Sequence, residues 1–204
     1  MRLTRSADLE DPSSHSRSGP CRPKALPLLC PVRGAAFVVM VHTGHEHSGP
    51  VVDISLADPR KLSLALEQGV TVVACHCGTG WRWDRPDFLP HFLELARRHD
   101  RLWGDTSILG SPGRVRDFSR LLAESDLASR LLHGSDFPFP SWPLCFFRRI
   151  GLAALRLQRE KNLLRRDLSL KMALGIGEES SERAYGIVTG ETKGPGTPQP
   201  VREP

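Results

Sequence analysis

Three side chains able to bind a metal or move a proton stand where apolar runs stop. His42 ends AAFVVMVH (35–42), His76 ends VTVVACH (70–76) and Asp136 ends RLLHGSD (130–136). Neutral imidazole and carboxylate suit zinc and similar divalent ions. A histidine beside such an ion can instead act as general base. Each residue alone has a plainer reading: a hydrogen-bonded strand-end histidine, or an aspartate forming a turn after Gly-Ser. Three of them at corresponding places argue for one shared site. A fourth run, RLWGDTS (101–107), ends near Asp105 and Thr106.

Two nearby clusters have weaker chemistry. HTGHEHSG (42–49) contains His45, Glu46 and His47, but it lacks the i,i+4 histidine spacing of a helical zinc motif and glycines flank it. His45 and His47 are expected as loop residues within reach of a substrate. In the Cys75-His76-Cys77 triplet, period-two alternation turns both thiols away from His76. The same alternation groups Ala36, Val38, Met40 and His42 on one face, Val70, Val72, Ala74 and His76 on another, and Leu132, Gly134 and Asp136 on a third. Ala74 and Gly134 are then expected one layer beneath the polar groups, in a crowded interior.

The elements that must position these groups alternate. The four apolar runs read as buried strands. Between and after them, 58–69, 85–100, 113–126, 143–162, 165–175 and 180–188 read as helices. Asp58 is expected as an N-cap, and Gly69 and Gly175 as stops. The order β-α-β-α-β-α-β-α implies a parallel α/β sheet with helices outside it. No glycine-rich phosphate fingerprint follows any strand, so a nucleotide-binding doubly wound fold loses its main support. A TIM-barrel-like (β/α) fold fits better. Such barrels hold eight strands in about 250 residues, so four strands predict half a barrel. The expected organisation is an irregular segment over 1–34, a partial barrel over 35–188 and a disordered tail over 189–204.

Composition limits the partners. The chain has 204 residues, 39% hydrophobic and 25% charged, which is globular. Its net charge of +5 is spread along the chain and forms no stripe, so nucleic acid is not expected as a partner. No apolar run reaches the about 18 residues that span a bilayer, and no membrane partner is expected. Five cysteines without a framework spacing predict reduced thiols and a cytoplasmic setting. Arg82 and Arg85 in TGWRWDRPD could receive a carboxylate; the plainer reading has them solvated and Trp81 and Trp83 packed.

VHTG (41–44), LADPRKLSLALEQGVTVVACHCGTG (56–80), LWGDTS (102–107), LLHGSDFPFP (131–140) and NLLRRDLSLKMALG (162–175) together resemble the amidohydrolase-related family of metal-dependent barrel enzymes. The family includes hydrolases and decarboxylases, and the resemblance covers the last four strands of its barrel. It implies a divalent metal, zinc or else manganese, held by His42 and Asp136. It implies that His76 either binds a second metal or acts as catalytic acid or base, and that Asp136 also orients or deprotonates the attacking water. Asn162 falls on a recurrent asparagine and is given no role. The implied activity is hydrolysis of a C–N or C–O bond in a small-molecule substrate.

The family's first-strand His-x-His pair has no counterpart ahead of His42; His15 is solitary and 45–47 comes too late. A truncated enzyme is therefore expected, with 1–34 drawn from a mis-set start or a shifted reading frame. It should be of low stability alone, or should self-associate to cover the open half. The alternatives are an inactive barrel fragment or interaction module, and a decarboxylase of the same family.

Overall fold

The computed structural model describes residues 37–189. The irregular segment expected over 1–34 lies outside the described residues, as does the expected tail apart from Thr189. Strands β1 (Val38–His42), β2 (Thr71–Cys75), β3 (Leu102–Asp105) and β4 (Leu131–Leu132) form one sheet in the order β1-β2-β3-β4, and every pairing is parallel. Helices α1 (Ser63–Glu67), α2 (Leu89–Arg98) and α3 (Val115–Leu121) alternate with the strands. A core that includes Leu66, Phe92, Phe118, Val72, Ala74, Leu102 and Leu131 packs these helices against one face of the sheet. Sequential order without a reversal point is barrel winding rather than doubly wound winding. The architecture is half of an α/β barrel. Among the described residues, no helix is long and apolar enough to cross a membrane.

The strands are shorter than their apolar runs, and β1 is not covered on both faces. It is an edge strand, and Met40 is 59% exposed. Strand β4 has only two residues, and Asp136 lies beyond it in a loop.

Register corrects the expected face assignment. His42 pairs with Cys75, Met40 with Val73, and Val73 with Trp103. The concave face therefore carries His42, Cys75 and Asp105. Ala74 faces the helices, in the core that also holds Leu89 and Phe92. Lower on the concave face, Val73, Trp103 and Leu132 pack against Ile187 of α7 (Glu179–Thr189).

The expected 143–162 helix is broken. A 3₁₀ turn (Pro143–Phe146) leads into α4 (Phe147–Ile150); Gly151, at φ +57°, then separates α4 from α5 (Ala153–Gln158). Asp58 caps a 3₁₀ turn (Pro59–Leu62) ahead of α1, accepting from the Arg60 N–H. Gly69 and Gly175 stop their helices at φ +79° and +94°. Asn162 is the N-cap of α6 (Leu163–Ala173), its side chain accepting from the Arg165 N–H at 3.0 Å. That local cap accounts for the asparagine without a catalytic role.

Candidate functional site

At the carboxyl end of the sheet the loops after β1 and β2 are fastened backbone to backbone. His45 N–H donates to the Thr79 carbonyl at 3.1 Å and Thr43 N–H to the Cys75 carbonyl at 3.2 Å, where the Thr43 hydroxyl also donates at 2.7 Å. Gly44, at φ +89°, permits this approach; a Cβ there would stand 2.2 Å from the Thr79 oxygen.

His76 is not on the strand. The residue has φ +64° and Cys77 has φ +53°, two successive left-handed residues that non-glycine side chains rarely adopt. This kink breaks the alternation of β2. It brings the His76 ring to 4.9 Å, centroid to centroid, from the His42 ring, edge to face. It also drops Cys77 into the helix-side core, where Gly104 makes room: a Cβ at Gly104 would meet the Cys77 Sγ at 2.5 Å.

Asp105 holds the kink. Its Oδ1 accepts from the His76 N–H at 2.8 Å and from the Ser107 hydroxyl at 2.6 Å. Since Ser107 Oγ donates its hydrogen to this carboxylate, it accepts from His76 Nδ1, 2.8 Å away. The chain Asp105–Ser107–His76 thereby assigns the proton to Nδ1 and leaves the Nε2 lone pair free. Burial pushes the imidazole below its usual value; Asp105 opposes this. The ring is a neutral base rather than an imidazolium.

His42, His76 and Asp136 line one cavity of about 620 Å³, along with Glu46, His47, Trp81, Trp83, Ile108, Arg114 and Phe139. Asp136 and Ile108 also have left-handed backbones, at φ +57° each. Left-handed positions thus concentrate on this cavity, as backbone strain does at functional sites. Glu46 Oε2 stands 3.8 Å from His42 Nδ1. Burial pushes the Glu46 carboxyl up, but hydrogen bonds from Ser48 and the His47 N–H, with His42 nearby, outweigh it and hold the group at about 2. His47 stacks on Trp81 and meets Asp84 at 2.7 Å, and His45 bonds the Pro86 carbonyl at 2.7 Å. Both are loop residues, and His47 reaches the cavity.

Cys75 shares the concave face with His42. Burial first, then Asp105, pushes its thiol up to about 12, which disfavours the nucleophilic thiolate. Trp81 and Trp83 wall the cavity instead of packing in the core, while Arg82 and Arg85 are exposed and do not line it. The guanidinium that does is Arg114. Its only sequence signal is its place at the N-cap of α3, where the helix dipole disfavours a cation.

The Asp136 loop is anchored to α6. Lys171 Nζ donates to the Gly134 carbonyl at 2.5 Å and to Asp167 Oδ2 at 2.7 Å. Asp167 also accepts from the Ser141 hydroxyl and meets His133 Nε2 at 3.2 Å. Burial pushes the Asp167 carboxyl up, yet His133, Lys171 and Ser141 outweigh it and hold it below the usual range. The unfolded chain therefore protonates Asp167 first as pH falls. The stability this group contributes is present above the usual 3.8 and is lost as pH drops through that value toward the folded one. Stability measured by urea unfolding should fall between about pH 5 and pH 3, less steeply in Lys171→Met/Asp167→Leu. Equal slopes would mean that Asp167 is not the titrating group.

The donor types suit a divalent ion, but the set is not closed. Among the described residues no group of three or more His, Cys, Asp or Glu side chains converges on one point. The described residues do not by themselves fit a complete metal centre.

A family model described as Amidohydrolase matches residues 32–186. One similar solved structure is an uncharacterized TIM-barrel protein from Bordetella bronchiseptica, 22% identical with a TM-score of 0.47. The match covers 80% of this chain and 50% of that one, so the chain spans about half the length of that protein. No curated protein matches. The family match runs through all four strands and includes His42, His76 and Asp136, and the chain belongs to the amidohydrolase family, whose members generally use divalent metals.

Proposed function

We propose that this cavity is a hydrolase half-site acting on a C–N or C–O bond of a small molecule. The observation that carries the reading is the Asp105–Ser107–His76 chain, which leaves a neutral Nε2 at a cavity shared with His42 and Asp136. His76 accepts a proton at Nε2 from water as it attacks the substrate carbonyl, and returns it to the leaving oxygen or nitrogen. His42 and Asp136 are the ligands this chain would contribute to a divalent ion, zinc or manganese. Such an ion supplies a water whose pKa is lowered toward neutrality. No further step is assigned to it, because the ligand set is open.

The same reading makes residues 35–188 one partial-barrel domain flanked by 1–34 and 189–204. Self-association would cover the open side of the sheet, where β1 is an exposed edge. A cytoplasmic setting is supported by Cys75, Cys77 and Cys145, which form no disulfide among the described residues.

A panel of esters, lactones and anilides, assayed with the full chain and added zinc or manganese, tests the reading. Turnover above the metal-only rate is expected. The competing reading, a barrel segment without turnover, is favoured by the open ligand set and predicts none. Release of carbon dioxide from a carboxylic acid, with no hydrolysis, would place the chain with the decarboxylases.

A further inference from the structure

The net charge is not spread along the chain as expected from the sequence. Residues 143–166 carry seven cations and one carboxylate, Glu160, a surplus of six where the whole chain nets +5. They run through the 3₁₀ turn (Pro143–Phe146), α4, α5 and the start of α6, and α5 packs against both the turn and α6. Arg148, Arg149, Arg156, Arg159, Lys161 and Arg165 are exposed. Among the described residues none of the six forms an ion pair, whereas Arg97 and Arg98 of α2 meet Glu124, Asp126 and Glu94. Glu160 accepts instead from the Asn162 N–H at 2.9 Å. Cations alone would amount to a solvated basic face.

The apolar side chains set among them argue for more. Leu152, Leu155, Arg156 and Arg159 follow the i, i+3, i+4, i+7 spacing and share one face of α5. All four are exposed, Leu152 by 76%, while Ala154 on the opposite side is buried. Helix α5 thus turns its leucines to solvent and its alanine inward. Phe147 of α4 and Leu164 of α6 are exposed as well, Leu164 by 50%. Apolar side chains gathered within a charged rim mark an interaction surface.

Charge and apolarity together narrow the partner. A second copy of this chain would bring the same cations face to face, a like-charge contact that opposes docking. Nucleic acid would pair its phosphates with the arginines and leave the leucines in water. An anionic bilayer answers both features, with headgroup charge for the arginines and an acyl boundary for the leucines. Such a contact needs no spanning helix.

We propose that the α4–α6 surface docks on an anionic lipid bilayer, with Leu152 and Leu155 at the acyl boundary and the surrounding arginines on the headgroups. None of its residues lines the cavity, so the docking face does not rest on the hydrolase reading.

The full chain is sedimented with vesicles of phosphatidylcholine alone and of phosphatidylcholine mixed with phosphatidylserine. Binding to the mixed vesicles should be at least about ten-fold stronger at low salt, and should weaken as salt screens the headgroups. Arg148→Gln/Arg149→Gln/Arg156→Gln/Arg159→Gln alters exposed side chains only and should lose this preference. Lys61→Gln/Arg82→Gln/Arg85→Gln/Arg101→Gln removes the same charge from exposed positions elsewhere and should keep it. Leu152→Ser/Leu155→Ser should weaken binding to the mixed vesicles about ten-fold. Circular dichroism checks each variant for folding, and the leucine variant decides the matter if the arginine variant does not fold. Equal binding to both kinds of vesicle, or no binding to either, would overturn the proposal. So would a preference that survives in the folded arginine variant, or a leucine variant that binds like the native chain. Duplex DNA held more tightly than the mixed vesicles, and released in the arginine variant, would give the surface to nucleic acid and overturn the lipid assignment.

Discussion

Lys171→Met is expected to lower the unfolding free energy by about 3–5 kcal/mol. Lys171 is fully buried, and its ammonium bonds one carboxylate and one carbonyl, Asp167 and Gly134. Removing it leaves the Asp167 carboxylate almost fully buried, with His133 and Ser141 as its remaining partners among the described residues. Removing one member of a buried pair is far costlier than removing both, because the survivor keeps its desolvation penalty. The double variant Lys171→Met/Asp167→Leu should therefore recover much of the loss, a coupling that urea denaturation at neutral pH can measure. A loss below about 1 kcal/mol in either single variant, or strict additivity, would show that the pair is not a structural linchpin. The lesion also reaches the site. Lys171 grips Gly134, two residues before Asp136, and Asp167 grips Ser141 on the far side of the same loop.

His76→Asn is expected to reduce turnover of any ester, lactone or anilide the chain accepts by about 10²–10⁴-fold, the range for loss of a positioned general base. Asparagine is the right replacement because position 76 has φ +64°, a conformation that asparagine tolerates better than most side chains. The fold should survive while Nε2 is lost. Ser107→Ala removes one acceptor of Nδ1 but leaves the Ser107 carbonyl at 3.2 Å, so a smaller loss of about ten-fold is expected. A His76→Asn variant with unchanged kcat would remove His76 from the chemistry.

The strand order and the winding were legible because βα alternation leaves few topologies open. The convergence of His42, His76 and Asp136 on one cavity was also legible, as three polar groups each ending an apolar run. The reason for it was not. Alternation placed Ala74 in the interior beneath His76, whereas register puts Cys75 there and a left-handed kink delivers His76 from outside the strand. Backbone handedness at a non-glycine residue leaves no mark in composition. Asp167 and Lys171 are spaced i,i+4 and look like an exposed helix pair; only the packing of α6 beneath the Asp136 loop buries them. Arg114 and Ser107 act through partners 35 and 31 residues away, Thr79 and His76, a distance that periodicity does not span.

The account stands on one site assembled from the end of β1 and the segments that follow β2 and β4, and a paramagnetic ion tests it most directly. Manganese(II) is titrated into the full chain while the histidine-ring and carboxylate signals are followed by NMR. The account predicts selective broadening of the His42, His76 and Asp136 signals, diminished together in Asp136→Asn. Broadening that spares these three and centres on His47 and Asp84 would contradict it.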